Sequence, residues 1–139
     1  MRCARFRADH AELADLAEEL RWLLPPPERA AKVLAAQNCL DELLGRLATH
    51  LEDEAAGLYP VLSGCPDTAV AELADKFVAD MAATSAHLDR YWQHWTTDAI
   101  TADVDRFTSE TMVVLNQLAD RLAENEALYT AAEGLAVAA

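Results

Sequence analysis

The stretch RLATHLEDEAAGLYPVL, residues 46–62, decides how this chain is read. Leu40, Leu43, Leu44, Leu47 and Leu51 recur at three- and four-residue steps, the period of a helix with one apolar face. His50 and Glu54 lie four apart on that helix, so their side chains share a face with Cβ atoms about 5–6 Å apart. An imidazole and a carboxylate are thus carried toward the interior that the leucines define. Buried ionisable groups cost several kcal/mol unless they are paired or neutralised. Either a hydrogen-bonded structural pair or a bound cation meets that requirement.

Outward from this stretch, turn signals cluster in LLPPPERA around Pro25–Pro27, in YPVLSGCPDT from Pro60 to Asp67, and in WTTDAITAD from Thr97 to Asp103. They predict four helices, at about 4–23, 28–58, 68–96 and 102–130. Short connections between long helices make neighbours antiparallel, so the expected architecture is all-α, an up-down-up-down four-helix bundle. With 139 residues, 53 % of them apolar and 4 Gly against 5 Pro, the chain reads as one folded domain spanning residues 1–139.

The charge balance excludes several functions. With 24 acidic against 11 basic side chains, the net charge of −13 repels a phosphate backbone, so nucleic acid is not an expected partner. No apolar run reaches the ~18–20 residues that span a bilayer. MRCARFRADH has arginines with no hydrophobic segment after them, so neither membrane nor secretion is signalled and the expected location is cytoplasmic. Cys3, Cys39 and Cys65 are odd in number and lack C-x-x-C spacing, so they read as free thiols, Cys39 as core packing.

The two halves echo one another. Superposing Tyr59 on Tyr129 places Glu54 on Glu124 and His50 on Asp120, so each hairpin offers a lone histidine, His10 or His87, and an i, i+4 pair. Imidazole and carboxylate suit Fe, Mn or Zn, and facing bundle helices are where such sites are built. In an antiparallel pair, groups at one depth are equidistant from the connecting turn. The midpoints of His50 with His87 and of His87 with Asp120 fall on the second and third turns. The midpoint of His10 with His50 falls at residue 30, past the prolines, an imbalance of ~13 Å that a climbing Pro25–Pro27 segment or a later second helix must absorb.

The order of His, then H-x-x-x-E followed by LYP, then His, then a second x-x-x-E followed by LY resembles the hemerythrin-like (HHE cation-binding) domain family of bacterial type, from about Asp9 to Tyr129. The resemblance implies a four-helix bundle around two oxo- or hydroxo-bridged irons, with Mn or a mixed pair as a further option. Carried over, it makes His10, His50 and His87 terminal ligands and Glu54 and Glu124 bridges. Asp120 stands where the family usually has His, and the His-x-x-x-His of oxygen carriers is missing, with Ala83 and Tyr91 flanking His87. Tyr91 could close one coordination position. The extra carboxylate favours the ferric state.

The function implied is reaction with H2O2 in a catalase-like manner, or activation of O2. The alternative is an O2- or iron-responsive sensor module, and the third reading is an oxidase of a small organic substrate. The native reductant and electron donor are not encoded. Glu52, Asp53 and Glu126 read as solvated acids. His94 lies two turns beyond His87, ~10 Å along the axis, and reads as packing against Trp92 and Trp95; Tyr59 and Tyr129 read as packing at the helix ends.

Overall fold

A computed structural model describes residues 3–26 and 29–138. Pro27 and the expected start of the second helix at Glu28 lie outside the described residues. The chain forms six helical segments: α1 (Ala4–Trp22), α2 (Ala30–Gly57), α3 (Tyr59–Ser63), α4 (Thr68–His94), α5 (Thr97–Ala102) and α6 (Val104–Ala138). Four long helices stand where four were predicted. The two short ones fall in connections the sequence analysis treated as turns, and α6 runs beyond the expected end at residue 130.

Local chemistry explains the boundaries. Pro60 has no N–H to offer and its ring crowds the carbonyl four residues back, so α2 stops at Gly57 and the chain restarts as α3 with Pro60 in its first turn. Asp67 caps α4 by accepting from the N–H groups of Ala69 and Val70, at 3.1 and 3.3 Å. Thr96 accepts from Ala99 to open α5, and Asp103 accepts from Arg106 to open α6.

Side-chain pairings set the packing. Arg46 meets Glu12 and Cys39 meets the Leu16 carbonyl, so α1 and α2 run antiparallel. Arg7 meets Glu126 while Arg21 meets Asn116, which runs α6 antiparallel to α1. Tyr91 meets Thr111 and Arg121 lies over Phe77, giving α4 and α6 the same relation. The result is a helical bundle.

The imbalance between His10 and His50 is absorbed at the first connection. Trp22 ends α1 12 residues past His10, whereas α2 begins 20 residues before His50. α2 therefore overshoots α1 by ~12 Å. α5 packs on that overhang, with Ile100 fully buried and Thr97 hydrogen-bonded to Gln37.

The apolar core is divided. One cluster holds Leu13, Leu40, Leu43, Leu47, Leu51, Trp95, Phe107 and Leu115; the other holds Cys3, Phe6, Leu58, Tyr59, Leu62, Phe77, Leu128 and Tyr129. His10, His50 and Glu54 lie along the chain between contributors to the two clusters, and all three are buried. Among the described residues no helix is long and apolar enough to cross a membrane.

Candidate metal centre

His50 and Glu54 project from one face of α2, and α1 delivers His10 to the same depth. His10 Nε2 and His50 Nε2 are 3.1 Å apart, and His50 Nε2 is 2.6 Å from Glu54 Oε1. One ligand atom from each of the three residues lies within 4.8 Å of the others. Exposure is 6 % for His10, 2 % for His50 and 0 % for Glu54. α6 closes the cluster with Tyr129, whose hydroxyl donates to Glu54 Oε2 at 3.0 Å and lies 2.7 Å from His10 Nε2 and 3.3 Å from His50 Nε2. Asn125 Nδ2 donates to both Glu54 oxygens, at 3.4 and 3.5 Å.

The outer nitrogens of both rings face carboxylates. His50 Nδ1 is hydrogen-bonded to Asp9 Oδ2 at 3.1 Å, and Glu126 Oε1 lies 3.3 Å from His10 Nδ1. Glu126 is itself held by Arg7. Carboxylates on Nδ1 fix the proton there and turn the Nε2 lone pair inward, the arrangement that orients metal-binding histidines. Two lone pairs and a carboxylate then converge, with the Tyr129 hydroxyl and the longer contacts of Asn125 Nδ2 as the donors to them. That ligand set is short of protons and suits a cation. At metal–ligand distances of ~2.1 Å, adjacent ligand atoms sit roughly 3 Å apart, close to the spacings observed.

Burial is the largest influence on both histidines and disfavours their charged forms. In His10, with His50 beside it, burial prevails and the pKa falls. In His50 the hydrogen bonds and charges of Glu54 and Asp9 outweigh burial and the pKa rises. Burial and the Glu54 carboxylate push the Tyr129 phenol far up, so it keeps its proton as the donor to Glu54. Phe6 stacks on Tyr129, with ring centroids 5.6 Å apart, and shields the cluster from one end.

His87, Asp120 and Glu124 take a different position. All three are exposed, and with Ala83, Thr84, Gln117 and Arg121 they line an open groove of about 510 Å³ between α4 and α6. The structure thus gathers the six candidate ligands as two groups of three, one buried and one at the surface. α6 presents Leu118, Asn125, Leu128, Tyr129 and Ala132 to the interior, and Asp120 and Glu124 fall beside that stripe. Tyr91 is buried with its hydroxyl bonded to Thr111 instead of reaching a histidine. His94 is exposed and packs edge-on against Trp95. Glu126, read from the sequence as solvated, instead faces His10.

A family model for the hemerythrin HHE cation-binding domain matches residues 3–132, nearly the whole chain. The chain belongs to the hemerythrin HHE cation-binding domain family. Comparison with curated proteins and with solved structures returns no match. Within this HHE domain the buried His10, His50 and Glu54 form the cluster fitted to the cation binding for which the family is described.

Asp9, Asn125 and the Tyr129 hydroxyl are parts of the site that sequence reading missed. Asp9 abuts His10 in ADH, and Asn125 lies on the stripe of Leu118, Leu122 and Tyr129, so both carried a signal. For the Tyr129 hydroxyl the signal was its place in the second LY pair.

Proposed function

We propose that this HHE domain holds iron through His10, His50 and Glu54 and that the loaded protein reacts with H2O2 in a catalase-like manner or activates O2. The observation that carries the reading is the buried convergence of two Nε2 lone pairs and a carboxylate, without protons enough to satisfy them. Bound iron would supply one-electron redox chemistry and an open position for a small oxygen ligand.

The chain's own residues determine what that position meets. Phe6, Leu13 and Leu51 keep the surroundings apolar, Asp9 and Glu126 hold the imidazoles in orientation, and the Tyr129 hydroxyl keeps its proton and donates it in a hydrogen bond to Glu54. This reading takes the four long helices as an up-down-up-down antiparallel bundle, supported by the pairings of Arg46 with Glu12, Arg7 with Glu126 and Tyr91 with Thr111. The two-iron form that the resemblance implies would add His87, Asp120 and Glu124. Their common groove favours it, and their exposure opposes it.

The second reading is an O2- or iron-responsive sensor module, favoured by the near-complete burial of His10, His50 and Glu54; of the three, His50 also lines an open groove of about 460 Å³ with Asp9 and Leu13. Iron-loaded protein mixed with H2O2 should evolve O2, and a Glu54→Ala variant should not. No turnover, together with reversible O2 binding after reduction, would favour the sensor. O2 consumption that requires an added organic compound would favour the oxidase.

A further inference from the structure

A positive charge and the Glu54 carboxylate both act on the Tyr59 hydroxyl, and the chain supplies that charge from α6. Arg121 lies on α6 one turn before Asn125, with its guanidinium carbon 5.2 Å over the Phe77 ring. Its Nε and Nη2 are buried and make no well-formed hydrogen bond, as is true of the Tyr59 hydroxyl and Asn125 Oδ1. The Tyr59 hydroxyl feels both Glu54 and Arg121: burial and the Glu54 carboxylate push it up to about 12 while the guanidinium pulls it down. Arg121 also lines the groove shared by His87, Asp120 and Glu124, as well as a small cavity of about 50 Å³ bounded by Leu47, Leu51 and Leu118. It is therefore the common neighbour of Tyr59 and of the outer three residues.

We infer that the Arg121 guanidinium stands in for a second metal ion, so that the centre takes one ion per chain. A bridging carboxylate must turn a free lone pair toward the second ion. Glu54 Oε2 is taken by the Tyr129 hydroxyl, with Asn125 donating to both oxygens, so only Oε1, 2.6 Å from His50 Nε2, is turned toward an ion. A further cation would meet the like charge of Arg121 in a setting of low dielectric, where repulsion is poorly screened. The donors it would need from α6 are displaced too. One residue along a helix turns a side chain by ~100°, so the inward register that presents Arg121 and Asn125 leaves Asp120 and Glu124 outside.

The inference rests on the metal reading of His10, His50 and Glu54, and iron stoichiometry separates the two. The full chain is titrated with Fe(II) without oxygen, and iron is counted against the background of a His10→Ala, His50→Ala, Glu54→Ala protein. One ion per chain is expected, unchanged when His87, Asp120 and Glu124 are all replaced by Ala. On oxidation it should give the EPR signal of isolated high-spin ferric iron. Two ions per chain, a spin-coupled pair, or loss of iron in the His87, Asp120 and Glu124 variant would overturn the inference and leave the metal reading standing. No iron above background would overturn both. Arg121→His, which removes the fixed charge and adds a ligand, should raise uptake toward two ions per chain if the variant folds by circular dichroism. Uptake held at one would contradict the role given to Arg121.

Discussion

Asp9 shows how much of this site depends on residues that never touch a ligand. Its carboxylate takes the outer nitrogen of His50 and so points Nε2 at His10 and Glu54. Asp9→Asn keeps the shape and removes the charge, and should weaken iron binding by about 10–100-fold, the usual effect of losing such a partner, as measured by competition with a chelator. Cys39 gives a residue-scale test unconnected with metal. Burial, with Glu19 and Glu42 adding to it, pushes its thiol from 9.0 up to about 11. The folded chain thus keeps a proton that the unfolded chain releases. The associated stability is fully present below pH 9 and is lost as pH rises through the folded value. Urea unfolding should therefore show stability falling over that window by on the order of 2 kcal/mol from this thiol, and the fall should be shallower in Cys39→Ala. The buried tyrosines Tyr59 and Tyr91, both raised to about 12, add to the decline in either protein.

At the scale of elements, the break at Leu58 sets the register on which the site depends, while the caps act on stability. Asp67→Ala removes the acceptor for the first free N–H groups of α4 and should cost about 1 kcal/mol in chemical denaturation. It lies far along the chain from His10, His50 and Glu54, so iron affinity should not change. The break at Leu58 also explains what could be read in the sequence and what could not. Helical period and turn residues were enough for the four long helices, since leucine spacing and proline clusters are local signals. His10, His50 and Glu54 were legible as a set because all three sit on apolar faces that the spacing reveals. The other half was assigned by laying Tyr59 on Tyr129, which assumes the same helical phase in both hairpins. α2 breaks between Glu54 and Tyr59, whereas α6 runs unbroken through Tyr129. Counting back five residues from Tyr129 along a continuous helix turns Glu124 ~140° away from it, while Asn125 stays within ~40°. A break imposed by one proline shifted the phase, and the two halves of the sequence no longer correspond in space.

For the whole molecule, burying Glu54 between two apolar clusters is favourable only if something positive joins it. In the free protein the carboxylate is met by hydrogen bonds from Tyr129 and Asn125; in the loaded protein a cation joins them. The net charge of −13 adds a field that draws cations from a distance. An ion that binds only the folded chain must stabilise it. Iron at one hundred times its dissociation constant should add about 2.7 kcal/mol, seen as a higher melting temperature in the wild type and no shift in Glu54→Ala. The most direct measurement is anomalous X-ray scattering at the iron edge from crystals of the iron-loaded chain. The account predicts a peak bounded by His10 Nε2, His50 Nε2 and the Glu54 carboxylate. A peak confined to the groove of His87, Asp120 and Glu124, or ordered empty side chains at the buried cluster in protein that has taken up iron, would contradict it.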